Sequence, residues 1–173
     1  MKTAKAFLCG LTAIVCASCV QAQSATPAIT AKYPDATIDS LIRAYATARS
    51  SDVTPAQALQ QQLAKDFPRA YDVEWETAAG IYEAEFEVRR ADYKAYYDGE
   101  GSLLMYSCEV RASELPAAVR DAAKGRYPKY RFDEAKKVHK GTAIFYKLEM
   151  ERRDAEAKLV IKSDGSVVDD WVD

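Results

Sequence analysis

Apolar residues recur along the chain first with the period of a helix and then with the period of a strand. Leu59 and Leu63 lie four positions apart in a segment that ends at Phe67-Pro68, which is the spacing of an amphipathic helix. Proline disfavours helical geometry in the residue before it, so the aromatic-proline pair is expected to end this helix. From Ile81 to Val88, apolar residues alternate with glutamates, which predicts a strand with one buried and one wet face.

The same order of patterns occurs a second time further along the chain. The segments Pro55 to Gly80 and Pro116 to Gly141 both span 25 positions, and Tyr127-Pro128 takes the place of the first aromatic-proline pair. Ala143 to Glu151 then alternates as the first strand does. An internal repeat of this kind indicates two copies of one supersecondary unit. Each copy is predicted to be a helix followed by about four antiparallel strands.

Short polar segments that contain glycine separate the remaining predicted strands. Asp98-Gly99-Glu100-Gly101 and Ser163-Asp164-Gly165 stand between alternating apolar runs, as hairpin turns do. The other strands are predicted at Val73 to Glu76, Tyr93 to Tyr97, Leu103 to Arg111, Phe132 to Val138, Ala157 to Ile161 and Val167 to Val168. One unit of roughly 60 residues is too small to bury a sheet face well on its own. We therefore expect the two units to share one sheet or one core.

The first 22 residues have the three regions of a secretory signal peptide. Lys2 and Lys5 make a cationic start, an apolar stretch follows from Ala6 to Val20, and the small side chains before the cut suit a signal peptidase. The apolar stretch is shorter than the roughly 20 residues that a membrane-spanning helix needs. We therefore expect cleavage after Ala22 and a periplasmic or extracellular protein without a membrane span. The alternative is a lipoprotein anchored at Cys19.

Residues 23–52 form a polar tail and then an amphipathic segment. Ile38, Leu41 and Tyr45 recur with helical spacing. They predict an additional helix from Thr37 to Arg49 that packs on the repeats. The predicted organisation is therefore a signal peptide at 1–22, the tail and helix at 23–52, a first unit at 53–112 and a second unit at 113–173.

Several of these segments resemble a known family. Val73-Glu74-Trp75-Glu76, Gly80 to Phe86, Asp98 to Leu104 and Glu114 to Val119 look like the PepSY-like, beta-lactamase-inhibitor-like family of exported bacterial envelope proteins. The resemblance covers residues 53–168 and includes both units. It implies an α+β fold of two tandem helix-plus-antiparallel-sheet units, like that of a beta-lactamase inhibitor protein. It also implies secretion and a role in binding or inhibiting other proteins.

The cysteines set this chain apart from the inhibitor itself. Cys9, Cys16 and Cys19 leave with the signal peptide, so Cys108 alone remains and no intramolecular disulfide can form. This departure weakens the case for a beta-lactamase as the particular target. In its strand pattern, Cys108 is interpreted as a small buried hydrophobic residue.

The chemistry-bearing residues favour a protein without catalytic activity, cofactor or metal. The chain carries 24 basic and 26 acidic residues, which argues against a nucleic-acid binder that depends on many cations. No catalytic or phosphate-binding motif is present. The single histidine, His139, is interpreted as a solvated residue before a hairpin. Glu83 and Glu85 lie on a predicted wet face, where carboxylates lack the burial that acid-base catalysis requires.

Alternation in the predicted strands sends a mixed aromatic and charged set outward, away from the core. The candidate partner-binding residues are Glu83, Glu85, Lys94, Tyr96, Phe145 and Lys147. Tyr96 and Phe145 are the candidate anchors, because aromatic residues carry much of the energy at protein interfaces. Met105 is placed on the same side as Leu103 and Ser107, which would extend the patch. Trp171, near the end of the chain, is expected to fold back and cap the core, and a recognition tail is the alternative.

The prediction for function is an exported, non-catalytic protein-binding or inhibitor-like module that uses an exposed antiparallel sheet face. Its partner is expected to be another envelope or secreted protein. The alternative is a small structural or stress-related envelope protein that self-associates. An enzyme that uses Glu83 and Glu85, or His139, is the third hypothesis.

Overall fold

The computed structural model describes residues 27, 29 and 32–172. The predicted signal peptide, its cleavage site and Cys19 lie outside these residues. The described part is an α+β fold with three α-helices and nine strands. In chain order the elements are α1 Asp35–Thr47, β1 Ser51–Asp52, α2 Gln57–Asp66, β2 Tyr71–Ala78, β3 Ile81–Val88, β4 Ala91–Asp98, β5 Leu103–Glu109, a 3-10 turn Ala112–Glu114, α3 Ala117–Arg126, β6 Arg131–Lys140, β7 Ala143–Arg152, β8 Ala155–Lys162 and β9 Val167–Val172.

The nine described strands form one antiparallel sheet whose spatial order is the order of the chain. Helix α2 is followed by β2 to β5, and α3 is followed by β6 to β9. Both helices have ten residues and end at the aromatic residue that precedes a proline. The backbone N–H of Phe67 donates to Leu63 at 2.7 Å, and that of Tyr127 donates to Ala123 at 2.8 Å. The aromatic-proline pairs therefore end the helices as predicted.

Helices α2 and α3 cover the same face of the sheet, which we call the helix face. Under α2, Leu59 and Leu63 pack against Phe86 and Tyr97. Under α3, Val119 packs in a separate cluster with residues of β6, β7 and β8, including Leu148. The even positions of β3 and β7 supply these contacts, so the predicted period of two has its cause in the burial of one sheet face.

Helix α1 packs on the opposite face of the sheet, which we call the outer face. Its Ile38 and Tyr45 form a third apolar cluster with Ala78, Ile81 and Leu104. Ile81 is 3% exposed and Leu104 is 1% exposed. The prediction of a wet second face on β3 is therefore wrong for the end of the strand at Ile81, because a helix covers it. The packing of α1 buries Ile81. The sequence of β3 does not predict this burial, because the other outward positions of the strand are glutamates.

Polar contacts hold the segment before α1 and its first turns against the sheet. Lys32 Nζ lies 2.7 Å from a carboxylate oxygen of Asp98, and the Tyr33 hydroxyl donates to the same oxygen at 3.0 Å. Lys140 Nζ lies 2.7 Å from Asp39 Oδ1. These contacts join α1 to the β4–β5 turn and to the β6–β7 hairpin. The helix is therefore tied to strands of both halves of the sheet.

Candidate functional site

The register of the sheet puts the six predicted partner-binding residues on the outer face. Glu83 pairs with Tyr96 and Glu85 pairs with Lys94 across β3 and β4. Their neighbours Ala84 and Ala95 are buried on the helix face, so the alternate side chains point the other way. Phe145 and Lys147 on β7 alternate in the same way with the buried Tyr146 and Leu148.

Helix α1 divides these six residues into a covered and an uncovered group. Glu83 is only 8% exposed. Tyr96 is partly buried, and its ring packs edge-on against Tyr45 of α1 with 5.6 Å between the ring centres. Burial, reinforced by the nearby Glu83 carboxylate, raises the pKa of Tyr96. The interpretation of Tyr96 as a freely exposed anchor is therefore wrong, and so is the placement of Glu83 on a wet face.

One ammonium group serves both predicted glutamates. Lys94 Nζ lies 3.2 Å from Glu83 Oε1 and 2.8 Å from Glu85 Oε2. Burial acts to lower the pKa of Lys94, but its hydrogen bonds to Glu85 and Glu83 outweigh this and raise that pKa. A carboxylate pair held by a shared cation is poorly suited to exchange protons with a substrate. The three side chains instead form an ion-pair network that links β3 and β4 on the outer face.

A cavity of about 280 Å³ lies at the middle of the outer face, next to α1 through Tyr96, whose ring packs on Tyr45. Three of the predicted residues, Lys94, Tyr96 and Lys147, line it. The others are Met105, Ser107, Glu134, Lys136, Val138 and Glu149. The cavity spans β4 to β7, so its floor is made by both halves of the sheet.

Strand β6 contributes residues that the sequence reasoning did not select. Glu134, Lys136 and Val138 point to the outer face because they pair with Glu149, Lys147 and Phe145 of β7. The outward positions of β6 alternate with a period of two, but this alternation begins only after an irregularity between Phe132 and Glu134. Lys137 and His139, at the intervening positions, are also polar, and this obscured the alternation.

Charges in the cavity are mostly paired, with one exception. Lys136 forms an ion pair with Glu134. Burial raises the pKa of Glu149 against the opposing effect of Lys158, and the neighbouring glutamates raise it further. Lys147 is exposed, and no salt bridge joins it to a carboxylate in the part of the chain that the structure describes. Of the three lysines that line the cavity, Lys147 is therefore the one without a carboxylate partner among the described residues.

Met105 and Ser107 lie on the outer face, but Leu103 does not. A register shift between Tyr96 and Tyr97 makes Tyr97 pair with Leu103 and Tyr96 pair with Met105. Leu103 is then 3% exposed within the cluster under α2. The prediction that Met105 shares a side with Leu103 is wrong, because a β-bulge adds one residue to one strand and reverses the alternation.

Trp171 does not cap the core, which corrects the prediction. It belongs to β9, pairs with Lys158 on the outer face and is 43% exposed. The adjacent Asp170 points to the helix face, where it accepts hydrogen bonds from Arg126 at 2.9 Å and from the Tyr127 hydroxyl at 2.7 Å. Pairing within the sheet therefore fixes Trp171 at an exposed position of β9.

The two remaining candidates for chemistry lie on the helix face. His139 stacks on Tyr106, with 4.4 Å between ring centres and 9° between ring planes. Burial and the nearby Lys137 lower the pKa of His139 to about 4, so its interpretation as a solvated residue is wrong. Burial raises the pKa of Cys108, which works against a reactive thiolate. Within the described residues, no group of three or more His, Cys, Asp and Glu residues could hold a metal ion.

A second cavity, of about 410 Å³, lies beside α2 at the β2 edge of the sheet. Its walls include the apolar side chains of Leu63, Phe67 and Trp75 together with polar groups such as Gln60. Across the described segments, every helix is too short or too polar to pass through a membrane.

Comparisons with known proteins identify the fold. No protein-family model matches the chain, and no curated protein is significantly similar to it. Solved structures do match: a DUF2874 family protein from Bacteroides uniformis has 21% identity and a TM-score of 0.63, and the match covers 69% of this chain and 90% of that one. A BLIP-like protein from Bacteroides fragilis has 21% identity and a TM-score of 0.61, with 69% and 87% covered. A protein from Bacteroides eggerthii, provisionally described as periplasmic, has 16% identity and a TM-score of 0.64, with 69% and 90% covered.

At these identities the likeness shows the fold alone. It supports the beta-lactamase-inhibitor-like part of the resemblance seen in the sequence. None of the three proteins is described as PepSY-like.

Proposed function

We propose that this chain is an exported, non-catalytic protein-binding module that docks its partner on the uncovered part of the outer face. The observation that carries the proposal is the cavity beside α1, in which one ammonium group without a carboxylate partner among the described residues stands among paired charges, with an aromatic ring two positions away on the same strand and the same face. Lys147 supplies the ammonium group and Phe145 supplies the ring. Protein interfaces combine an anchoring apolar group with charges that fix register in this way.

Three further observations support the proposal. The fold resembles that of a protein described as BLIP-like, and a second protein of this fold is provisionally described as periplasmic. The first 22 residues have the pattern of a secretory signal. The glutamates that an enzyme hypothesis requires are held by Lys94. We accordingly keep the tandem-repeat origin of the two halves and the PepSY-like label as parts of this proposal.

The structure changes which residues of the predicted set are expected to matter. Glu83 is buried, so we expect it to support the face and make little direct contact. Tyr96 packs against Tyr45 of α1 and forms the wall of the cavity next to that helix, so we expect it to shape the site and not to act as a free anchor. Phe145, Lys147, Glu85 and the cavity residues of β6 are expected to meet the partner. Lys140 Nζ lies 5.3 Å from the centre of the Phe145 ring, which limits the freedom of this aromatic group.

The test begins with capture of the protein's partner from the periplasmic and envelope extract of its own host, followed by calorimetry with the purified partner. We expect Lys147→Glu to weaken binding by about tenfold or more, since it places an anion where the partner's carboxylate would lie. Lys129→Glu, which makes the same charge change at an exposed site beside α3, is the matched control and should bind normally. Equal affinities of the two variants would contradict the proposal.

A further inference from the structure

Exposed apolar side chains concentrate at the two edges of the sheet. Six large hydrophobic residues are more than a third exposed in the described chain: Tyr71, Val73, Val167, Val168, Trp171 and Val172. Four of them belong to the six residues of β9. The other two lie on the part of β2 that β1 leaves unpaired, since β1 pairs only with Glu76 and Thr77. Strand β9 is therefore the most apolar exposed element of the described fold.

One side of the β9 backbone is open. Within the described sheet β9 is the last strand and pairs only with β8. Its outer row of N–H and C=O groups is thus available to another strand. Residues 169–172 pair with β8 in regular register, and a β-bulge at Val168 separates them from Val167, so the regular part of the edge accepts about four residues of an extended chain.

The acidic residues of β9 determine which kind of strand can pair with this edge. Asp170 points to α3, where Arg126 and Tyr127 satisfy it. Asp169 is exposed, and no salt bridge to it is found within residues 32–172. Proteins place charges on edge strands to discourage pairing with the wrong strand. Among the described residues of β9, Asp169 is the carboxylate without an ion pair, and it repels acidic strands and attracts basic ones.

Pairing between two copies of this chain is disfavoured by the same charge. Two antiparallel copies of β9 bring their Asp169 carboxylates close together, and like charges across a strand pair are destabilising. The free part of β2 carries Asp72 and Glu74, so it also offers acids to an incoming β9. A basic strand from another protein meets neither penalty.

We propose that β9 is a docking edge for an extended segment of a partner protein in which Lys or Arg alternates with apolar residues. The segment adds as a further antiparallel strand next to β9. A basic side chain then lies opposite Asp169, a second one or an aromatic ring lies beside Trp171, and an apolar side chain covers Val172. This site goes beyond the face proposed above, because it uses the edge of the sheet and none of the cavity residues.

The test uses peptides and the purified full-length protein, with backbone amide NMR and fluorescence anisotropy as readouts. Three labelled heptapeptides are compared: alternating Lys and Val, alternating Glu and Val, and alternating Lys and Gly with the same charge as the first. We expect the Lys-Val peptide to shift the amide signals of residues 167–172. It should bind about tenfold more tightly than either of the others, because only it combines strand propensity with the complementary charge.

Charge exchange distinguishes an edge site from general attraction between a cation and an acidic protein. Asp169→Lys should lose most of the affinity for the Lys-Val peptide and gain affinity for the Glu-Val peptide. Asp72→Lys, the matched change at the other edge, should keep the original preference. Lys147→Glu should also keep it, which separates this site from the cavity.

Four results would each overturn the proposal. They are equal binding of the Lys-Val and Lys-Gly peptides, an unchanged preference in Asp169→Lys, amide shifts centred on β4 to β7, and no shift at millimolar peptide. Sedimentation of the protein alone is a separate check. A dimer that Asp169→Lys abolishes would assign the edge to a second copy and contradict the basic partner.

Discussion

His139 has a packing role that its neighbours in sequence do not predict. The sequence places it between Val138 and Lys140, before a turn, where a solvated side chain is the ordinary expectation. The sheet instead stacks it on Tyr106 of the neighbouring strand, on the helix face. The imidazole is consequently neutral near pH 7, because burial and Lys137 oppose its protonation and lower its pKa.

This lowered pKa predicts a pH dependence of stability. An unfolded histidine has a pKa of about 6.5, whereas the pKa of His139 in the folded protein is about 4. The unfolded state therefore binds more protons between these values, and His139 makes the protein less stable as pH falls from about 6.5 to about 4. The expected loss is up to about 3 kcal/mol.

The measurement is urea unfolding at pH 7 and pH 4 for the wild type and His139→Phe, which keeps a stacking ring but does not titrate. The wild type should lose more stability than the variant over this range. The carboxylates titrate in both proteins, so only the difference between the two losses tests the prediction. Equal losses would show that His139 protonates freely in the fold.

At the scale of elements, turns are fixed by what they pack against as well as by their sequence. Gly165 in the β8–β9 turn has a φ of +90°, and a Cβ built there would lie 2.9 Å from the Ala118 carbonyl oxygen of α3. Gly99 in the β4–β5 turn has open space around its Cα. The two turns look alike in sequence, because each contains an Asp-Gly pair, yet only one touches a helix.

We therefore expect Gly165→Ala to lower the free energy of unfolding by about 1–3 kcal/mol, through backbone strain and overlap with α3. Gly99→Ala is the matched control and should change it by less than about 0.5 kcal/mol. Chemical denaturation of the two variants measures both values. If Gly165→Ala were as stable as Gly99→Ala, the β8–β9 turn would not be pressed against α3.

Helix α1 is the element that most alters the candidate site, since it covers part of the outer face. Ile38, 1% exposed, is its most buried anchor. Ile38→Ala should cost about 2–4 kcal/mol, because it removes buried methylene groups and leaves a cavity between helix and sheet. Arg43→Ala, at an exposed position of the same helix, should cost little.

Hydrogen exchange of Ile38→Ala measures which elements lose stability. We expect the amides of α1 to lose protection in Ile38→Ala while those of β7 and β8 keep theirs, because the α3 core contains no residue of α1. Uniform loss of protection over the sheet would mean that α1 does not open on its own.

The whole molecule is joined at its middle by the pairing of β5 with β6. Residues from Met105↔Lys140 to Glu109↔Lys136 form the ladder, and the stack of Tyr106 on His139 crosses it. The clusters under α2 and α3 therefore share one sheet, although each has its own apolar residues. The cavity that we propose as the docking site is lined by both halves of the sheet.

This connection predicts one unfolding transition. Phe86→Ala in the α2 cluster and Leu148→Ala in the α3 cluster should each shift that transition by about 2–5 kcal/mol. Far-ultraviolet and near-ultraviolet circular dichroism should give coincident curves for both variants. Two separated transitions in either variant would mean that the halves unfold independently.

Much of the fold could be predicted from the sequence because its determinants are local. Proline sets where α2 and α3 end, and burial of one sheet face sets the alternation of β3 and β7. The α+β class, the antiparallel strands and the outward orientation of Lys94, Phe145 and Lys147 all depend on these local rules. The β-bulge between β4 and β5 is different, because its extra residue leaves no mark in the sequence. The sequence pattern therefore placed Leu103 on the wrong face of the sheet.

What only the tertiary structure decided is which outward residues are free to bind. The sequence by itself determined that Glu83, Tyr96 and Lys147 share a sheet face, because the strand period fixes direction. It did not determine that α1 lies over the first two and leaves the third open, because contacts between residues far apart in the chain depend on how elements pack. The position of Trp171 also depends on such packing. Its strand pairs with β8, which leaves the indole exposed at the edge of the sheet and not over the core.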